Sequence, residues 1–287
     1  MKRLSNSSSE TYHAPGKSWT EILFYMFCGL IFLFLILPLF IVLPISLSSS
    51  KYLEFPPKGL SLQWYRNFFG TKEWVIATFN SIKVATMTSI LASLLGIPAA
   101  LTLSKQKFKG AQYIYSFFLL PMILPAIIVA IAVYFHFAKL KLLGNIYSLT
   151  LAHTILAIPI VLITVSASLQ GFDQNLEYAA MNLGANRLKT FFKVIFPLIR
   201  PGVFSGALFA FITSFDEIVI AIFLSGYRAV TLPRHMWNSI REEIDPTIAA
   251  VSSILILTSV FLLLSIAMLK RRGERMRGQK LSEGTEM

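Results

Sequence analysis

The sequence predicts an all-α membrane protein of six transmembrane helices with both chain ends in the cytoplasm. Three observations lead there. Apolar residues make up 55% of the 287 positions and charged residues only 14%, with a mean hydropathy of +0.66, whereas soluble domains carry about 25% charge. Several apolar runs approach the ~20 residues that a helix needs to cross a bilayer. The runs are continuous rather than alternating, which selects helices over a barrel, the two architectures that leave no backbone polar group unsatisfied in lipid.

The spans are expected at 21–47, 79–103, 111–137, 147–169, 202–224 and 247–269. A polar tail, residues 1–20, precedes the first. That run is too long for a signal-peptide core and lacks a small-residue cleavage site, so it reads as a retained helix. It holds the single cysteine, Cys28, which cannot form an internal disulfide and suits a packed thiol acting as a small hydrophobe. Pro121 and Pro125 in the third run and Pro159 in the fourth each remove a backbone donor and should bend or interrupt their helices. In transport proteins such breaks often line cavities.

The net charge of +12 gathers in loops and at the C-terminal end, a distribution that orients a chain in a membrane and does not point to nucleic acid. With both ends inside, the tail 1–20, the loop 104–110, the segment 170–201 and the residues from 270 onward hold 16 of the 26 Lys and Arg, against nine in the external segments. Lys83 is left inside the second span. The expected organisation is a cytoplasmic tail at 1–20, one transmembrane domain at 21–269 and a basic cytoplasmic tail at 270–287.

The segment 170–201 reads QGFDQNLEYAAMNLGANRLKTFFKVIFPLIRP. Leu176, Ala179, Ala180 and Leu183 recur at helical spacing and predict a short amphipathic helix. Gly184 should end it, as a glycine able to adopt positive φ commonly does. A second helical stretch is expected over 186–196, with Phe191, Phe192 and Phe196, ending before Pro197. Two short helices joined by a glycine, with an apolar face, suit docking to a partner protein, or packing on the membrane surface or on the bundle itself.

This segment resembles the cytoplasmic coupling loop of ABC importer permeases, whose pattern is Glu-Ala-Ala, three residues, Gly, nine residues, then Ile-x-Leu-Pro. Here Ala179 and Ala180 are followed after three residues by Gly184, and nine residues later by Val194, Ile195, Phe196 and Pro197. The usual Glu position holds Tyr178, with Glu177 one residue earlier. The resemblance covers about 52–270. The stretches SFDEIVIAIFLSG (214–226) and TLPRHMWNSIREEIDPTIAA (231–250) are similar to the polyamine-type subgroup, the permeases for spermidine and putrescine; relatives for other small cationic or zwitterionic solutes share similar segments.

The resemblance implies a type I importer permease bundle (the MetI-like fold) in a bacterial inner membrane. It implies two cytoplasmic ATPase subunits, a second homologous permease and a periplasmic solute-binding protein as partners, with membrane lipid around the bundle. Glu177, Tyr178, Ala179, Ala180, Gly184, Val194 and Pro197 would couple this chain to an ATPase. No G-x-x-x-x-G-K-[ST] phosphate loop is present; GANRLKT (184–190) lacks the second glycine. No cofactor is expected on this chain, ATP and Mg being used by the partner ATPase. No metal site or nucleophile–base set is expected either: His13, His136, His153 and His235 are far apart in sequence.

Two adjacent acids, Asp216 and Glu217, interrupt the apolar run FAFITSFDEIVIAIFLSG (209–226). If the fifth span starts near Gly202, Asp216 lies about 21 Å along it, in the outer half of the membrane, where charges normally face a cavity or a partner. Neighbouring helical residues point about 100° apart. Glu217 continues a small-residue stripe of Gly206, Ala210 and Ser214, then Ala221 and Ser225, that would allow close helix packing. Asp216 shares a more polar face with Gly202, Ser205, Phe209 and Thr213 that could line a path. Lys83 is a candidate ion-pair partner for either acid. The functional alternative is a carboxylate that attracts a cationic solute, with Thr213 and Trp237 along the same route. Glu242, Glu243 and Asp245 fall in the same outer loop, and Trp64, Tyr65 and Trp74 are expected as interfacial anchors. Two rivals use the same residues: a proton-coupled carrier titrating Asp216 or Glu217, and a membrane anchor whose loop recruits a cytoplasmic regulator.

Overall fold

A computed structural model of the chain describes residues 19–105, 109–173, 175–242 and 244–261. The expected tails, the end of the sixth span from 262, the loop residues 106–108, and His13 and Glu243 lie outside the described residues. The chain divides into two units, one made of the residues up to Tyr65 and from Pro246 onward, the other of Arg66–Asp245.

In the first unit, α1 (Trp19–Ser46) is apolar and exposed along almost its whole length, as a lipid-facing helix must be. At about 42 Å it exceeds the ~30 Å hydrocarbon core. Its end is tied by hydroxyls: Tyr65 Oη lies 2.7 Å from Ser46 Oγ and 2.6 Å from Ser253 Oγ. Ser253 belongs to the apolar helix Thr247–Phe261. Trp64, on the short α2 (Gln63–Gly70), donates from Nε1 to Ser48 O at 2.9 Å.

The second unit is built on three helices, α3 (Lys72–Lys105), α6 (Ile146–Gln170) and α9 (Phe196–Asp216). Small residues bring α9 onto α6: Ile199, Gly202, Gly206, Ala210 and Ser214 form its buried stripe. A Cβ on Gly206 would meet Thr164 Oγ1 at 2.5 Å and Val161 Cα at 3.2 Å. Gly96 of α3 is as close to Val161. The expected small-residue face is therefore the packing face, and Gly202 joins it beneath Ser168 and Thr164 rather than the polar face.

Two expected spans are not single helices. The run 111–137 is α4 (Ala111–Ile123) and α5 (Ala126–Lys139), bent by 101° at the break. Leu124 is extended (φ −72°, ψ 143°), the conformation that a following proline imposes, and Pro125 opens α5. Pro159, by contrast, sits inside an unbroken α6. The run 202–224 is the end of α9 and a separate α10 (Val219–Leu224). The second halves pair with each other: Val129, Ala130, Val133 and Phe137 of α5 share a buried cluster with Ile220, Ala221 and Leu224 of α10.

The stretch expected to end before Pro197 does not end there. Helix α8 (Arg187–Thr190), a π turn over Phe191–Ile195, and α9 form one apolar span over Arg187–Asp216. The proline ring would clash with the carbonyl four residues back. The wider i→i+5 turn placed there lets the helix pass Pro197, which needs no amide donor. Four described helices are long and apolar enough to cross a membrane, and the bent pair, if counted as one span, gives five. The sixth expected span is described as Thr247–Phe261.

Candidate functional site

Two places in the second unit carry the residues singled out by the sequence. The first is the turn before the fifth span. Asp173 Oδ1 accepts from Asn175 N at 2.9 Å and opens α7 (Asn175–Asn182). Gly184 closes it at φ +83°. Ala185 N donates to Ala180 O at 3.1 Å and Gly184 N to Met181 O at 2.9 Å, the two crossed bonds of a Schellman end, which a left-handed residue makes possible. Asn186 then caps the next helix through Lys189 N at 2.8 Å. The turn closes through these backbone and side-chain bonds but leaves apolar side chains uncovered: Leu183 is 89% exposed, Leu188 70% and Tyr178 56%. Ala179 is exposed as well; Ala180, Val194 and Glu177 are half-buried, and Pro197 is exposed.

The second place is the break between α9 and α10. Asp216 is the last residue of α9 and Glu217 turns extended (φ −71°, ψ 113°). Glu217 Oε1 accepts from Ile220 N at 2.8 Å, so this carboxylate caps α10, where free amides and the helix dipole favour an anion. Asp216 is exposed and has no hydrogen-bond or ion-pair partner among the described residues. One acid is thus committed to the backbone and the other is free. Thr213 is half-buried one turn below the break, and Phe209 of the same face is 51% exposed.

The ion pair expected for Lys83 is not formed. Among the described residues the one ion pair is Lys58–Glu54 at 2.9 Å. Lys83 lies exposed on α3 while its neighbours Val84 and Ala85 face the core, so it looks away from the buried side. Trp74, expected as an anchor in the interface, is 2% exposed; its ring meets the His235 ring edge-on at 4.4 Å. That contact seats α11 (Leu232–Glu242) on α3, helped by Leu232 N donating to Ser81 Oγ at 2.8 Å and Asn80 Nδ2 donating to Val230 O at 3.0 Å. Trp237 is 42% exposed on α11. Burial pushes the His235 imidazole below its ordinary pKa, against the pull of Glu73, Asp245 and Glu242.

One residue passed over in sequence meets the last turn of α9. His153 is 1% exposed in α6, with Nδ1 2.9 Å from Ser214 Oγ. A lone histidine in an apolar run gave no hint of its partner, which lies on another helix. Among the described residues, no three His, Cys, Asp or Glu gather as a metal site.

Several long apolar helices, two of the runs broken, define a multi-pass helical membrane protein. The particular family follows from comparison. Residues 92–277 match the family described as binding-protein-dependent transport system inner membrane component, and the chain belongs to it. The spermidine/putrescine transport system permease protein PotC of Haemophilus influenzae is 28% identical over 246 residues, 86% of this chain and 95% of the relative. The putrescine transport system permease protein PotI of Escherichia coli K12 is 32% identical over 232 residues, 78% and 82% of the two chains. In fold, the chain is similar to a chain in the crystal structure of a bacterial ABC transporter that imports the acidic polysaccharide alginate. The TM-score is 0.70 at 18% identity, covering 88% of this chain and 98% of the other. The protein is therefore a multi-pass inner membrane permease subunit of an ABC importer. ATP hydrolysis belongs to a partner ATPase, and the carrier and anchor rivals fall away.

Proposed function

We propose that this permease imports a polyamine such as spermidine or putrescine. The observation that carries the reading is the similarity to PotC and PotI over more than three quarters of the chain. The free carboxylate of Asp216 supports it, because an unpaired anion at a helix break suits an ammonium group. Thr213 and the exposed Phe209 add a hydroxyl and an aromatic surface on the same face, and Trp237 stands on the outer loop.

In this reading the chain works with a second, homologous permease, two cytoplasmic ATPases and a periplasmic binding protein. Both its ends lie inside. Leu183, Leu188 and Tyr178 enter a groove on an ATPase, with Glu177, Ala179, Ala180, Gly184, Val194 and Pro197 shaping the turn. ATP and Mg act on the partner, and this chain holds no cofactor. Asp216 meets the solute while Glu217 keeps the break in place.

The test is uptake of labelled putrescine by cells that lack other polyamine importers and carry the complete system. Excess spermidine should abolish the signal, and excess glycine betaine or molybdate should leave it. ATP-dependent uptake of a zwitterion or an anion in place of putrescine would overturn the polyamine reading while leaving the importer intact.

A further inference from the structure

We propose that His153 is a positioning residue for the solute-facing carboxylate: its hydrogen bond to Ser214 holds the last turn of α9, and with it Asp216, at the height where the helix breaks. The inference rests on the reading of Asp216 given above.

His153 is buried, and its Nε2 has no hydrogen-bond partner among the described residues. Burying an imidazole with one nitrogen unpaired costs free energy that an apolar side chain of similar volume would not. What His153 supplies at this place is therefore the bond at Nδ1. Its partner Ser214 is also buried, at 4% exposure.

The rest of α9 is held further from the break. Gly202 and Gly206 lie against Thr164, and Ser89 Oγ donates to Ala207 O at 2.6 Å. From Ala207 to Asp216 is about 13 Å of helix. Ser214 is about 3 Å along the axis from Asp216, and beyond it the helical ladder runs out. Glu217 is extended and its carboxylate is taken by Ile220. Asp216 makes no bond of its own, so its place is set by the turn that Ser214 anchors. Ionisable side chains inside a membrane commonly mark a function, and a displacement of about 1 Å in a positioned group can cost a large factor in activity.

Asparagine places its amide where Nδ1 sits, and glutamine places it where Nε2 sits. The experiment uses the complete transporter in proteoliposomes with loaded binding protein and ATP, and reads labelled putrescine accumulated per ATP hydrolysed. D216N, H153Q and S214A should each lower that ratio at least about fivefold while stimulated ATP hydrolysis continues, and H153N should stay within about twofold of wild type. H153Q combined with D216N should be no worse than D216N alone, because both act on one carboxylate. S214A removes one oxygen and adds no bulk, so it carries the test if H153Q fails to insert. Equal behaviour of H153N and H153Q, loss of uptake and ATP hydrolysis together in S214A, or additive loss in the double variant would overturn the positioning role and leave Asp216 standing. Normal putrescine per ATP in D216N would remove both.

Discussion

The turn at 173–186 and the break at 216–220 are built alike. Each interrupts a helix, and each satisfies the exposed amides with a side-chain oxygen, from Asp173 and Asn186 in the turn and from Glu217 at the break. They differ in what is left over. The turn leaves apolar side chains uncovered, Leu183 and Leu188 above all. The break leaves one carboxylate unpaired. Uncovered apolar area suits another protein's surface and an unpaired anion suits a cation, so under the proposed function the turn is the docking element and the break the solute contact, at the two ends of the span Arg187–Asp216.

The largest effect expected comes from Gly184→Val. A Cβ there would meet nothing within 4 Å, so the cost is conformational: φ is +83°, where a β-branched residue loses of order 1–2 kcal/mol or more. The turn should rearrange to a negative φ, lose its two crossed bonds and misplace Leu183. ATP-driven uptake should fall at least about tenfold with normal membrane insertion, and Gly184→Asn should retain most of it, because Asn tolerates the left-handed region. If Val and Asn act alike, the conformation of this glycine does not matter for docking.

The two acids come next, and they should separate. Glu217→Ala removes a cap and should cost about 0.5–2 kcal/mol of stability, read as a lower unfolding temperature in detergent. Asp216→Ala removes no contact and should leave that temperature unchanged within error while transport per ATP drops. An equal loss of stability in both would break the division drawn here.

Much of this was legible in the sequence, and the failures share a cause. Hydropathy located the apolar runs, and the helical spacing from Leu176 to Leu183 followed by Gly184 marked the short helix and its end, because these depend on local chemistry along one stretch of sequence. The polar pairs were not legible. Lys83 and the acids suggested an ion pair because they are opposite charges inside apolar runs. The pair is absent because Lys83 lies exposed on α3, away from the side of Val84 and Ala85, while α9 ends at Asp216 and Glu217 caps the helix that follows the break. Apolar periodicity gives no sign of a break whose flanks are both apolar. Pro197 misled in the opposite direction: a π turn carries the helix past it, and nothing in FFKVIF marks that turn in advance. Trp74 passed for an anchor because its partner, His235, is distant in sequence and meets it only through the seating of α11.

The smallest effect concerns that seat. Burial holds the His235 pKa below its ordinary value of about 6.5, and Glu73, Asp245 and Glu242 oppose the shift. The folded state therefore prefers the neutral ring. Its contribution is complete above the unfolded value and is lost as the pH falls through the folded one. The unfolding temperature of the wild type should decline between neutral pH and about pH 5 by more than that of His235→Phe, which keeps an edge-on ring against Trp74 and cannot titrate. Glu73→Gln removes one of the opposing charges, so the folded ring should charge at still lower pH; the decline should begin at the same pH, set by the unfolded value, but run further down and be larger. A decline of the same size in His235→Phe would show that the seat of α11 does not sense this proton, and that the Trp74 contact is packing alone.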